Sequence, residues 1–214
     1  MTNEQKSALM RNPRFLQLLG VTAFVLSPLF RLILRVRQPE LERFLWISEQ
    51  AKEAYRKGQW VEAEQLASEG LLLAERYPKT WNYGNVIHDC HQVLGLLQMR
   101  EGKTQEAIDC LLAAGRTPGS PQLNSFGPAM VLARELLLRG ERTAVHQYLN
   151  LIIVFWKKDS VELPELRRQR QRLMKRFNTT FPGPEEQHQQ LIKQWKTDIK
   201  AGRVPQHINW QREL

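Results

Sequence analysis

Residues 93–115 read VLGLLQMREGKTQEAIDCLLAAG, two apolar stretches on either side of a short polar connection. The apolar residues of each stretch recur three or four positions apart, the spacing of one face of an α-helix. Gly102 stands between the stretches, where the residue after a helix often takes a positive φ. Gly95, Ala107 and Ala114 are small enough to let two antiparallel helices approach closely. The stretch therefore predicts a helical hairpin.

The same pattern continues through most of the chain after residue 40. Six predicted helices form three pairs, with Gly58, Gly102 and Gly140 in the turns inside the pairs. Five residues after each glycine comes a small or medium apolar residue: Ala63, Ala107 or Val145. No stretch alternates between apolar and polar residues for long enough to require a strand. The sequence therefore predicts an all-α fold with an internal repeat.

The second pair resembles the tetratricopeptide repeat (TPR) family. The resemblance rests on the residues that match the family's helix-turn-helix unit: Leu94, Gly95, Gly102, Ala107 and Ala114. It covers residues 41–157 and implies about three TPR-like antiparallel hairpins in a short right-handed solenoid. The pairs are 44 and 38 residues apart, where the family period is 34. An unrelated all-helical bundle with glycine turns stays open as the alternative.

The resemblance also implies a partner-binding groove, lined by the first helix of each pair. Carried over by register, the groove positions are Ser48, Lys52, Tyr55, Asp89, Gln92, Arg100, Met130 and Arg134. Some family members clamp a peptide carboxylate with Lys and Asn. Lys52 and Val93 stand at the Asn positions of this chain, so we expect no such clamp.

An apolar segment at residues 15–34, FLQLLGVTAFVLSPLFRLIL, lies within a basic N-terminal region of residues 1–38. Its 20 residues are long enough for a helix to cross a bilayer. Pro28 would kink or divide such a helix. Three interpretations remain: a single membrane anchor, a kinked or re-entrant helix in one leaflet, and a buried helix of a soluble domain. The sequence has no A-x-A-like site before the basic stretch, which argues against a cleaved signal peptide.

The predicted domain order is this N-terminal region, a TPR-like domain at residues 40–157 and a basic helical extension at residues 158–214. The chain has 214 residues and a net charge of +9, which favours an anionic lipid, nucleic acid or an acidic protein as partner. The two cysteines form no disulfide framework and indicate a reducing compartment. We therefore expect a membrane-associated protein with the bulk of the chain facing the cytoplasm.

Two further segments are candidates for partner contact. The loop at residues 117–128 carries Gln122, Asn124 and Ser125, and we expect Phe126 to anchor it in the core. Residues 165–177 predict a basic amphipathic helix, either a solvated cap of the solenoid or a contact for an anionic partner, which would be lipid, nucleic acid or an acidic protein. The cations of this helix are Arg167, Arg168, Arg170, Arg172, Lys175 and Arg176. Residues 185–202 predict a last amphipathic helix.

The sequence contains no Gly-rich phosphate loop, nucleophile elbow or metal-ligand spacing, so we expect no enzyme, cofactor or metal site. HDCH at residues 88–91 has no second ligand pair with metal-like spacing. The leading hypothesis is a membrane-associated adaptor or scaffold that binds a membrane-associated protein partner, for example during assembly or stabilisation of a membrane complex. One alternative is a soluble regulator that binds nucleic acid through residues 167–176. The other is a structural subunit of a larger assembly.

Overall fold

The computed structural model describes residues 36, 38–156, 168, 171–172, 174–176 and 184–205. The prediction of an all-α fold is confirmed for this part of the chain, which has helices and no strand. The helices are α1 (Pro39–Arg56), α2 (Trp60–Arg76), α3 (Tyr83–Arg100), α4 (Thr104–Gly115), α5 (Pro121–Phe126), α6 (Val131–Leu138), α7 (Arg142–Trp156) and α8 (Pro184–Lys200).

Helices α1/α2, α3/α4 and α6/α7 form three hairpins with the same turn. In the second hairpin, the backbone N–H of Gly102 donates to Met99 O and that of Lys103 donates to Gln98 O. The equivalent bonds recur 44 residues earlier around Gly58 and 38 residues later around Gly140. These turn glycines have φ values of 75, 77 and 90°. An L-residue with a side chain is strained in this region, so glycine is favoured at the turn.

The hairpins pack on one another through their helices. Helix α3 contacts α1, α2 and α4, and α7 contacts α4, α6 and α8. Glycines occur where helices meet: a Cβ at Gly95 of α3 would overlap Leu132 of α6 and lie 3.0 Å from Cys110 Cβ of α4. A Cβ at Gly115 of α4 would lie 2.8 Å from the ring of Tyr148. Gly95 therefore lies where α3, α4 and α6 meet, whereas the sequence predicted a contact between α3 and α4 only.

Helix α8 covers the outer side of α7. Ile192, Trp195 and Ile199 are its buried side chains, and all three belong to the core. The ring of His188 stacks on Trp156 of α7 with 4.3 Å between centroids. The amphipathic helix predicted at residues 185–202 is therefore present as Pro184–Lys200, and its apolar stripe packs on the last hairpin.

Helix α1 begins at Pro39, since the first turn of a helix tolerates the missing N–H of proline. Two local predictions are wrong. The predicted loop at residues 117–128 contains the helix α5. Phe126 is 64% exposed, and Leu123 is the buried side chain of this segment. The apolar segment at residues 15–34 lies outside the described residues.

Candidate functional site

Three of the predicted groove residues lie inside the protein. Ser48, Gln92 and Met130 are at most 2% exposed. The backbone N–H of Leu132 donates to Gln92 Oε1 over 3.3 Å, so Gln92 connects α3 to the start of α6. A partner cannot reach these side chains while the helices stay packed. Their place in the structure indicates that they hold the hairpins together.

Lys52 and Asp89 join the first two hairpins by an ion pair. Lys52 Nζ lies 2.9 Å from Asp89 Oδ2 and 2.6 Å from Glu49 Oε1. Burial acts to raise the pKa of Asp89, but a hydrogen bond from His88 and the charge of Lys52 outweigh it and lower the pKa to about 2. Burial acts to lower the pKa of Lys52, but the charges of Asp89 and Glu49 outweigh it and raise that pKa. Both groups are therefore ionised at neutral pH.

Asp89 connects this ion pair to buried polar side chains of α3 and α7. Asp89 Oδ1 lies 2.8 Å from Nδ1 of His88, whose Nε2 lies 3.2 Å from the hydroxyl of Tyr148. That hydroxyl donates to the carbonyl oxygen of Ala129 over 3.3 Å. Burial raises the pKa of Tyr148, so its phenol stays protonated. We call the chain of Lys52, Asp89, His88 and Tyr148 the polar core network; it connects α1, α3 and α7.

Sequence reasoning missed this network. The HDCH sequence predicts no metal site, and helical geometry predicts that Asp89 points away from His88 and His91. Its side chain instead bonds to the adjacent His88. Adjacent helical residues do not usually face each other, so the sequence offered no indication of this contact. Among the described residues, no group of three or more His, Cys, Asp or Glu could hold a metal ion.

Tyr55 and Arg100 of the predicted groove meet a third side chain, Trp60 at the start of α2. The guanidinium carbon of Arg100 lies 3.7 Å from the centroid of the Trp60 ring. Tyr55 packs edge-on against the same ring, with 5.2 Å between centroids and 65° between planes. We call Tyr55, Trp60 and Arg100 the turn-edge cluster, because they lie beside the glycine turns of the first and second hairpins. Trp60 was not among the predicted site residues.

The turn-edge cluster is partly open to solvent. Trp60 is 36% exposed, Arg100 is exposed and Tyr55 is half-buried. Burial raises the pKa of Tyr55, the charge of Arg100 lowers it, and Glu135 raises it. The side chain of Arg134 is exposed and forms an ion pair with Glu135 at 3.0 Å. A partner approaching this edge would therefore meet a flat aromatic ring held by a cation.

The predicted loop residues make contacts within the chain. Ser120 caps α5 by accepting a hydrogen bond from the N–H of Leu123 over 3.0 Å, and its hydroxyl donates to Asn85 over 2.6 Å. Gln122 accepts a hydrogen bond from Asn85, and Asn124 is 4% exposed. The side chain of Ser125 lies outside the described residues. These contacts attach the segment to α3.

The basic patch is only partly described. Four of its six predicted cations are described, and all four are exposed: Arg168, Arg172, Lys175 and Arg176. Three of them line a groove of about 470 Å³ together with Gln171 and Met174. Arg167 and Arg170 lie outside the described residues. The sequence-based prediction of an anionic partner for this patch stays a prediction.

The two cysteines are free thiols on different helices. Cys90 is buried on α3, and Cys110 is half-buried on α4. Burial raises the pKa of both thiols, so both are protonated and unreactive as nucleophiles at neutral pH. The described thiols therefore have the character of core residues.

The fold and the surfaces described above define a protein of packed α-helical hairpins. In comparisons with known proteins, no family model matches the chain, and neither a curated protein nor a solved structure matches it significantly. Within the described residues, no helix combines the length and apolar character needed to cross a membrane.

Proposed function

We propose that this protein is a membrane-associated adaptor that binds a protein partner through the turn-edge cluster. The observation that carries the proposal is the partly exposed Trp60 ring, which contacts both Arg100 and Tyr55. Trp, Tyr and Arg are the residue types most enriched among those that dominate binding energy at protein interfaces. A ring already held by its neighbours loses little conformational entropy on binding.

We infer that the hairpins are divergent TPR-like repeats in a short right-handed solenoid. The repeated turn around Gly58, Gly102 and Gly140 supports this inference. Contacts between α3 and both α1 and α2 support it as well, since each unit of a solenoid contacts its neighbours. In this arrangement the turn-edge cluster extends over two repeats, so binding at the cluster would depend on how the repeats are packed.

The proposed location is the cytoplasmic face of a membrane, with residues 15–34 as the attachment. The support is the sequence of that segment and the basic residues that flank it, which anionic lipid would attract. Assembly or stabilisation of a membrane complex is the process in which we expect such an adaptor to act.

Affinity purification from mild detergent tests the adaptor proposal. We expect Trp60→Ala to reduce recovery of a co-purifying protein by about tenfold or more, the effect of losing a dominant interface side chain. Trp81→Ala is the matched control, because Trp81 is 40% exposed in the connection between α2 and α3. Equal recovery with both variants, in chains that unfold at the same temperature, would refute a role for the cluster.

A second candidate function is nucleic-acid binding through the basic patch. The observation in its favour is the exposure of Arg168, Arg172, Lys175 and Arg176. Binding of this kind releases counterions from the phosphate backbone, so its affinity falls steeply with salt. A shallow salt dependence, or no binding to RNA or DNA at physiological salt, would exclude it.

A further inference from the structure

The first hairpin has a groove lined by α1, α2 and the turn between them. Its volume is about 610 Å³, and its apolar lining consists of Trp46, Ala54 and Leu66. The other eight lining residues are polar, and six of them are charged: Arg43, Glu49, Gln50, Glu53, Arg56, Lys57, Gln59 and Glu62. A different side of α1 faces the second hairpin. Ile47 on that side lies beside Gly70 of α2, at the position where α2 packs against α3. The groove therefore lies on a part of the hairpin that no described helix covers.

The repeated turn allows the lining of this groove to be compared with the equivalent surface of the second hairpin. The turns at Gly58 and Gly102 have the same backbone bonds 44 residues apart, so Trp46 of α1 corresponds to Cys90 of α3. On α3, Cys90 faces the preceding helix α2: a Cβ at Gly70 would lie 2.6 Å from Cys90 Sγ. By this correspondence, the surface around Trp46 is where a helix preceding α1 would pack.

The segment that precedes α1 in this chain has a suitable length. A helix over residues 15–34 with a kink at Pro28 would be about 30 Å along its axis at 1.5 Å per residue, against about 27 Å for the 18 residues of α1. Val36 is itself helical, so residues 37–38 would remain as the connection, and two residues are the lower limit for joining helices in a bundle. The segment can therefore run back along α1 without additional chain.

The segment also carries small residues for a close approach. Gly20, Ala23 and Ser27 are spaced by three and then four positions, as are Ala67, Gly70 and Ala74 of α2. In α2, this spacing places Gly70 against α3. Trp46 is much larger than Cys90, so a helix that packs against it needs small side chains at the contact. The remaining residues of the segment are mostly apolar and would cover the apolar lining of the groove.

We propose that this groove is the docking site of residues 15–34 of the same chain, which pack antiparallel to α1 as the helix preceding the first hairpin. One segment cannot lie in the groove and in a bilayer at the same time. Docking and membrane attachment are therefore alternative states of residues 15–34, and attachment exposes the groove.

Disulfide trapping in the full-length chain without lipid tests the proposal. One variant combines Ala23→Cys with Gln50→Cys, an exposed position in the groove. The matched control combines Ala23→Cys with Ser68→Cys, an exposed position on the opposite side of α2 from Leu66. The two cysteines are 27 residues apart in the first pair and 45 in the second, a difference that changes loop closure only about twofold, so a tenfold difference in yield reports docking. Peptide mapping distinguishes the new bond from bonds to the native Cys90 and Cys110.

We expect an intramolecular cross-link about tenfold more abundant at Gln50 than at Ser68, as proximity raises the effective thiol concentration. Thermal unfolding of the reduced variants checks that both chains fold, since they share Ala23→Cys and their second substitutions are at the exposed Gln50 and Ser68. Equal yields at the two positions would overturn the proposal. A cross-link found only between two chains would overturn it too, since the occupant would then be a second copy. Vesicle flotation measures membrane attachment separately, so failure of one proposal does not imply failure of the other.

Discussion

At the residue scale, the polar core network shows how a buried charge is kept ionised. Asp89 has two partners, Lys52 and His88, and these interactions outweigh the burial of its carboxylate. The network also reaches Tyr148 on the last hairpin. Hydrogen-bonded groups of this kind are costly to break, because each remaining partner would be left buried without its bond. We therefore expect Asp89 to stabilise the fold.

We predict that Asp89→Asn lowers the free energy of unfolding at pH 7 by about 2 kcal/mol, which corresponds to the shift in its pKa. That pKa is about 2 in the folded protein against 3.8 without the fold, so the unfolded chain binds the proton first as pH falls. The contribution is therefore fully present above about pH 4 and lost between about pH 4 and pH 2. Urea unfolding at pH 7 and at lower pH measures both effects.

Asp109→Asn is the control for this prediction. Asp109 lies on the exposed side of α4, where Gln105 donates to it over 3.1 Å. An exposed hydrogen bond of this kind contributes little to stability, so the control should unfold like the natural chain. If Asp89→Asn were equally stable at pH 7, the network would have no stabilising role.

At the element scale, each hairpin consists of two helices, a glycine turn and small residues at the contacts. Gly95 has the nearest neighbours on two other helices, Cys110 of α4 and Leu132 of α6. Ala107 is fully buried on α4. A Cβ at Gly102 would have no atom within 4 Å, so glycine is favoured at this position only because of its positive φ. Packing and backbone conformation therefore act at separate positions of the same hairpin.

We predict that Gly95→Leu and Ala107→Leu each lower the free energy of unfolding by about 1–3 kcal/mol through overpacking. Gly102→Ala should cost about 1 kcal/mol for a different reason, the left-handed backbone, and Gly102→Asn should cost less. Thermal and urea unfolding measure these differences. If both leucine variants were as stable as the natural chain, the assignment of close helix contacts at these positions would be wrong.

At the scale of the whole molecule, the described helices form a scaffold whose ends differ. Helix α8 covers the last hairpin through Trp195, while the groove beside Trp46 of the first hairpin has no described helix over it. The N-terminal region that adjoins this open end contains the apolar segment at residues 15–34. Its attachment to a bilayer or to the groove would decide which surface of the first hairpin a partner can reach.

We predict that the full-length chain floats with vesicles that contain anionic lipid and that a chain without residues 1–38 does not. The reason is that apolar burial and the attraction of arginine to anionic headgroups both depend on this region. Circular dichroism of the shortened chain checks that its helices remain. A full-length chain that is monomeric and stays free of vesicles would contradict both the membrane attachment and the alternative of an assembly subunit.

The local elements could be predicted from sequence more easily than the site. The helices follow from three- and four-residue apolar spacing, and their ends follow from Gly58, Gly102 and Gly140. Among the residues of the predicted groove, Arg100 is exposed and Tyr55 is half-buried, whereas Ser48, Gln92 and Met130 are buried. Register along one helix does not show which side a neighbouring segment covers, and here α5 and the start of α6 cover part of α3.

The sequence by itself determined that the protein consists of α-helical hairpins, because apolar periodicity and turn glycines act within a few residues of each other. The tertiary structure decided which polar side chains meet. Lys52, His88 and Tyr148 lie far apart in the chain and come together only when the three hairpins pack. The same applies to Trp60 and Arg100, whose contact depends on the angle and distance between two hairpins. Such contacts arise from packing across the whole fold, which the local pattern of the sequence does not specify.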